Sequence, residues 1–392
     1  MPTEQNNTYP QNAEEATLRL QTSLKQQILE NGPLSFTEFM SQALYHPHWG
    51  YYTRGSQNVG KSGDFYTSVS IGSCFGLILA HRIHQHWQNL GKNEQTQPFH
   101  LIEMGANNGQ LAKDILDTLA TQFPALYACT SYHIPEHLEN IQHTQQQTLA
   151  AHQAKIHHHR SLAEIQIPNS IGILLSNELI DAFPVHLIQR DQGVWKQRLV
   201  DVSEDQLSFT LDANLSPELE NFTSTLAPDL ADGYQTEYRP GLESHAQDVS
   251  RALTKSLTIT IDYGHTHSSY YTPARRTGTL RCYHQHRADE APLESPGLKD
   301  ITAHVEFTQL AAAYRQHGHS ITQFSLQSRY LIHHARQWLL SLESAPDANT
   351  PKMIRQFQSL THPTTMGHQF MVLETSNFLP ENPEILDTLE LH

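Results

Sequence analysis

Three apolar runs in this chain lead into acidic side chains. Phe99–Met104 carries Glu103, Ser131–Glu136 closes on Glu136, and Ile171–Leu175 runs into Asn177, Glu178 and Asp181. An ionised carboxylate only accepts hydrogen bonds, and its two oxygens match a pair of ribose hydroxyls. The first run turns at once through Gly105-Ala-Asn-Asn-Gly109 into a segment with Leu111, Ile115 and Leu119 at helical spacing. Glycines there permit positive φ and let a ligand approach the backbone at a helix N-terminus, as in doubly wound sheets that bind an adenosine cofactor. The Gly-x-x-x-Gly spacing by itself also occurs at ordinary strand-to-helix turns. The order strand, turn, helix, strand, acid adds weight, and it assigns Glu103, Gly105 and Gly109 to the cofactor and Glu136 to the ribose. Glu136 has a second reading, as the opening acid of the next helix.

The elements that must hold these residues follow from the pattern around them. Residues 1–13 read as a disordered tail, and 14–95 as an N-terminal helical region. Within it, Glu14 to Glu30 forms an amphipathic helix with Leu18, Leu20, Leu24 and Ile28 available to pack, and Leu34–Met40 contains a capped helix start. An aromatic loop, Tyr45–Tyr52, comes next, and Gly63–Ser68 precedes a helix with Phe75, Leu77, Ile78 and Ile83. Residues 96–190 form the first half of a cofactor-binding sheet. Alternation from Val185 to Asp212 predicts antiparallel strands, and 191–256 reads as an inserted lobe. Leu257–Asp262 resumes the sheet, completed over 257–376 and followed by a C-terminal tail, 377–392.

Bulk properties narrow the class. The 392 residues carry a formal charge of -15, which argues against nucleic acid as a partner, because phosphate neutralisation needs clustered Lys and Arg. Three widely spaced cysteines suggest neither a disulfide framework nor a zinc motif. The 27 histidines lack a matching acid or cysteine framework, so no metal is expected. No apolar run is long enough to span a membrane, and residues 1–12 resemble neither a secretory signal nor a mitochondrial presequence. A cytoplasmic protein without membrane insertion is expected.

Five segments in order, Gly63-Asp-Phe-Tyr-Thr-Ser68, Gly105–Gly109, Asn177–Val185, Asp262-Tyr-Gly264 and Asp300–Val305, resemble the MidA-like family over roughly residues 14 to 375. The resemblance implies a seven-stranded class I methyltransferase sheet, Rossmann-like, with an N-terminal helical region and an inserted substrate-facing lobe. It implies S-adenosyl-L-methionine as cofactor and a protein substrate methylated on arginine, with a respiratory complex I subunit as the candidate partner. It also places Gly63, Asp64 and Thr67 near the methionine part of the cofactor. Arg281, Tyr283, His284 and Arg287 belong to a family segment expected to order the insertion.

Arginine sets a chemical problem. A guanidinium is protonated at any ordinary pH, so carboxylates must orient it, localise its charge and take a proton as the new C–N bond forms. Glu178 and Asp181 follow the fourth strand at the ligand-binding edge, and i, i+3 spacing puts both on one face of a helical turn. Asn177 is a third candidate, able to accept a hydrogen bond from an amino-type nucleophile. The same residues could instead serve a helix start, with Asn177 as cap and Glu178 on the dipole.

Two positions depart from the family pattern: Asn107 stands where glycine is usual, and Ser70 where glutamate is usual. Asparagine tolerates left-handed geometry better than other non-glycine residues. These departures motivate a second expectation, a non-catalytic assembly or binding factor on the same scaffold. A dinucleotide oxidoreductase ranks third, because the full Gly-x-Gly-x-x-Gly spacing is missing.

Overall fold

The computed structural model describes residues 13–54, 67–284, 287–344 and 348–391. They form two compact units. One comprises the described residues up to 54 with Ala182–Pro240 and Tyr271–Ala303, and the other comprises 67–181, Gly241–Tyr270 and the described residues from His304 onward. The expected helical region 14–95 is therefore divided between the two units, because its first helices pack with the lobe strands and its last helix packs on the central sheet.

The larger unit is built on seven strands: β1 (Phe99–Met104), β2 (Thr130–Pro135), β3 (Ile156–His159), β4 (Ile167–Asn177), β5 (Leu253–His265), β6 (Ser320–Leu326) and β7 (Phe370–Ser376). Their order is β3-β2-β1-β4-β5-β7-β6, and a two-residue strand, Val305–Glu306, adds beside the end of β5. All pairs from β3 to β5 are parallel, and β7 lies antiparallel between β5 and β6. The strand order reverses between β1 and β4, which is where open α/β sheets bind ligands beyond their carboxyl ends. This is the class I methyltransferase fold that the motifs imply.

The central strands are apolar because both faces are covered. Ile171, Ile173 and Leu175 of β4 and Leu257, Ile259 and Ile261 of β5 join a core that includes Phe75, Ile78, Leu111, Ile115 and Leu119 from flanking helices. A buried ion pair ties one of those helices, Cys74–Gln88, to β7: Arg82 Nε and Nη2 donate to Glu374 Oε1 and Oε2 at 2.7 and 2.8 Å. The Tyr330 hydroxyl adds a bond to Glu374 Oε1 at 2.6 Å.

In the smaller unit, helix Ala13–Asn31 buries Leu20, Leu24 and Ile28, whereas Leu18, also expected to pack, is 64% exposed because it projects from the opposite side of the helix. Ser35 and Glu38 form the expected capping box at the start of helix Phe36–Tyr45. Strands His186–Asp191, Val194–Ser203 and Gln206–Asp212 form the antiparallel meander expected from the alternation, completed by Leu34–Ser35 and Gln235–Tyr238. Arg281–His284 lies in a separate three-stranded sheet of this unit, where the Arg281 guanidinium pairs with Glu290 at 3.1 Å.

Candidate functional site

The candidate site lies at the carboxyl ends of β1, β2, β4 and β5. After β1 the chain turns through Gly105, Asn107 and Gly109 with φ of 73°, 47° and 80°. A Cβ built on Gly105 would lie 3.0 Å from Leu179 Cδ1, so the turn comes close to the segment after β4. Gly109 N donates to Ala106 O at 2.8 Å, and the Asn108 side chain accepts from Gln110 N at 3.0 Å, closing the start of helix Gln110–Gln122. Asn107 thus adopts the left-handed geometry that glycine would adopt freely. Its carbonyl accepts from the buried Gln145 Nε2 at 2.8 Å.

Glu103 is buried, and its Oε2 accepts the Tyr132 hydroxyl at 2.7 Å. Burial pushes its carboxyl up to about 7; the Tyr132 bond opposes that shift and nearby Asp114 adds to it. Glu136 follows β2 directly. Its Oε1 accepts from Leu138 N at 2.8 Å, and burial raises its pKa while that backbone bond opposes the rise. The next helix starts only at Glu139, with Leu138 as its cap, so Glu136 stands on the sheet edge instead of opening that helix.

The segment after β4 departs from the expected helical turn. Asn177 is the last residue of β4, and Glu178 sits at φ 52°, a conformation that costs a non-glycine residue roughly 1–2 kcal/mol. A short 3-10 turn then spans Ile180–Ala182. Asn177 is therefore no helix cap, and Glu178 lies outside the turn that holds Asp181. Glu178 is fastened on several sides: its N–H donates to Ile261 O at 2.9 Å, and its Oε1 accepts from Asn177 Nδ2 at 3.0 Å and Ser68 N at 3.3 Å. Asn177 Oδ1 is buried without a hydrogen-bond partner among the described residues. Asp181 is buried, and its backbone N–H shares Asp262 Oδ2 with that of Ile180 at 3.2 and 2.9 Å.

Asp262 is thereby an anchor. Its Oδ1 also accepts from Tyr263 N at 2.8 Å, and the fully buried carboxylate fixes where the segment after β4 leaves the sheet. The Tyr263 ring packs on Phe370 with centroids 4.0 Å apart.

Thr67 and Ser70 form a reciprocal cap at the start of the four-residue helix Ser68–Ile71: Thr67 Oγ1 accepts from Ser70 N at 3.1 Å, and Ser70 Oγ accepts from Thr67 N at 3.0 Å. Ser70 thus fills the third helical position of a capping box. Ser68 Oγ bonds the buried Gln327 Oε1 at 3.1 Å.

The structure brings Glu103, Gly105, Asn107, Gly109, Glu136, Asn177, Glu178 and Asp181 to one edge of one sheet, with Thr67 linked to it through Ser68. Gly63 and Asp64 lie outside the described residues. Sequence reasoning missed Ser68, Gln145 and Gln327, which all hydrogen-bond to site segments. Gln145 sits in the polar run Gln145-Gln-Gln147, where nothing in residue type separates the buried amide from its exposed neighbours. Among the described residues, no group of three His, Cys, Asp or Glu side chains is placed to hold a metal, and no helix is long and apolar enough to cross a membrane.

Comparison with known proteins identifies the family and the fold. The family described as "Putative S-adenosyl-L-methionine-dependent methyltransferase" matches residues 78–325. A Drosophila melanogaster protein named as the mitochondrial protein arginine methyltransferase NDUFAF7 homolog is 27% identical over 388 residues, covering 90% of this chain and 84% of the relative. Its Homo sapiens counterpart is 25% identical over 376 residues, covering 88% and 81%. A COG1565 superfamily member from Burkholderia thailandensis, solved with S-adenosyl-homocysteine bound, superposes with a TM-score of 0.84 at 27% identity, over 97% of this chain and 96% of that one. A native structure of a protein from that superfamily and organism gives 0.80 at 26% identity, with the same coverage. The arginine methyltransferase relatives are mitochondrial proteins by name, which overturns the cytoplasmic location expected from residues 1–12.

Proposed function

The chain belongs to the S-adenosyl-L-methionine-dependent methyltransferase family whose match spans residues 78–325, and from that premise we propose that it methylates an arginine side chain of a protein, with Glu178 as the proton acceptor. The observation that carries the reading is the left-handed Glu178, fastened by Ile261 O, Asn177 Nδ2 and Ser68 N at the sheet edge. Backbone strain of this kind concentrates at functional sites because the surrounding structure must hold it in place.

The residues present fit the cofactor. The turn after β1 carries no side chain at Gly105 or Gly109 and holds both at positive φ, and Glu136 stands at the end of β2 with Oε1 accepting from Leu138 N. Gly105, Asn107 and Gly109 would cradle it, Glu103 would stiffen the strand end beneath it, and Glu136 would accept its ribose hydroxyls. S-adenosyl-L-methionine supplies a methyl group carried on a sulfonium sulfur.

On the substrate side, the Glu178 carboxylate orients the guanidinium, localises its charge on the far nitrogens and receives the N–H proton given up as the new C–N bond forms. Asp181, buried in the turn that follows, supplies a second carboxylate, and Asn177 Oδ1, which has no donor among the described residues, accepts a guanidinium N–H. A protein substrate is also what the arginine methyltransferase relatives' names suggest. A respiratory complex I subunit, the partner implied by the family resemblance, is the first substrate to try.

The test is transfer of labelled methyl from S-adenosyl-L-methionine to arginine in that substrate, read as methylarginine after digestion. Glu178→Gln should lower kcat by about 100-fold or more, the usual contribution of a general base, while S-adenosyl-homocysteine affinity stays close to that of the unaltered chain. Unchanged transfer by that variant would remove Glu178 from the chemistry.

A further inference from the structure

We propose that Gln145 is a positioning residue for the cofactor turn, clamping the carbonyl of Asn107 so that a non-glycine residue can hold the left-handed conformation there. The inference rests on reading the Gly105–Gly109 turn as the S-adenosyl-L-methionine site.

Gln145 lies on helix Glu139–Thr148 and is fully buried. Its Nε2 donates to Asn107 O at 2.8 Å, and its Oε1 meets His158 Nε2 at 3.0 Å. The orientation of this amide follows from chemistry. A backbone carbonyl only accepts, so the amide nitrogen must face Asn107, the amide oxygen faces His158, and the proton of His158 must sit on Nε2. The relay runs from β3 through His158 and Gln145 to the turn. The same side chain also backs the end of the turn, because a Cβ on Gly109 would lie 3.5 Å from Gln145 Cγ and 3.3 Å from Leu149 Cδ1.

Glycine at position 107 would need no clamp, since it adopts positive φ freely. Asparagine at φ 47° is disfavoured unless something holds its peptide, and the relay supplies that hold with a buried, fixed donor. Gln145 and Asn107 therefore act as one device. Without the clamp the turn relaxes, and cofactor binding must rebuild it.

A double-mutant cycle read by calorimetric titration with S-adenosyl-homocysteine tests the coupling. Gln145→Met keeps the side chain's length and removes the donor. It should weaken binding by about tenfold, the scale set by the cost of left-handed geometry. In an Asn107→Gly background the same substitution should matter by less than about twofold, because glycine holds the turn unaided. A merely structural role for Gln145 predicts the same penalty in both backgrounds, and that result, or no penalty in either, overturns the inference. His158→Leu removes the donor behind Gln145 from a part-exposed position and repeats the comparison if Gln145→Met does not fold. Absence of S-adenosyl-homocysteine binding by the unaltered chain would overturn the cofactor reading and this inference with it. Binding that ignores Gln145 would overturn the inference alone.

Discussion

Ionising Glu103 costs the folded chain stability, because its carboxyl is buried against the Tyr132 hydroxyl, with no ion pair to a cation among the described residues. The folded pKa of about 7 stands above the ordinary 4.5, so between those values the folded chain binds more protons than the unfolded one. Stability therefore falls as pH rises through that window. Asp114, pushed up to about 6 by burial despite its bond from Gln110, acts in the same direction from about 3.8 upward. Glu103→Gln keeps an oxygen for the Tyr132 hydroxyl and removes the charge. We expect its melting temperature to vary less between pH 5 and 7 than that of the unaltered chain and to exceed it at pH 8, by the equivalent of a few kcal/mol. Parallel pH profiles of the two proteins would refute this. At the same scale, the two departures behind the non-catalytic reading are both accommodated: Asn107 takes the left-handed conformation, and Ser70 completes a cap. Glycine turns and strand-end acids were legible in the sequence because their residue types carry the geometry. The left-handed Glu178 was not, since nothing in a glutamate foretells positive φ; that conformation comes from the bonds of Ile261, Asn177 and Ser68.

Single elements carry separate consequences. The short helix Ser68–Ile71 aims the Ser68 N–H at Glu178, and its start depends on the Thr67 and Ser70 side chains. Thr67→Ala should release about 1 kcal/mol of capping, so the Ser70 amide should exchange hydrogen about fivefold faster. Unchanged exchange would mean that packing alone fixes the helix. The pair Arg82–Glu374 makes a larger demand. Arg82→Met leaves a buried carboxylate uncompensated and should cost about 3–5 kcal/mol in unfolding, whereas joint replacement of both residues by apolar ones should recover most of it. Equal losses in the single and double variants would contradict that. The helices Ala13–Asn31 and Cys74–Gln88 were readable from their apolar residues, and the meander within Val185–Asp212 from alternation. The 3-10 turn Ile180–Ala182 was misread as a helical turn, because the spacing of Glu178 and Asp181 fits a helix while the hold of Asp262 on the Ile180 and Asp181 amides enforces a tighter path.

At the scale of the whole molecule, the ordered motifs foretold the class of the sheet, because three of them, Gly105–Gly109, Asn177–Val185 and Asp262–Gly264, fall at the carboxyl ends of β1, β4 and β5, whereas Asp300–Thr302 pairs in the separate sheet of the smaller unit. The division into two units was less legible. Segments far apart in sequence join the smaller unit, and their pairing depends on contacts such as Leu34↔Val200 and Cys282↔Ile301 that no local pattern announces. On the proposed reading this edge holds S-adenosyl-L-methionine, and ligand binding there should also raise the melting temperature by mass action. The most direct measurement is calorimetric titration of S-adenosyl-homocysteine into the full chain and into Glu136→Ala. We expect saturable binding at one site for the unaltered chain and binding weakened by about tenfold or more for the variant, which loses its acceptor for the ribose hydroxyls. No saturable binding, or equal affinity in both proteins, would contradict the placement of the cofactor at this edge.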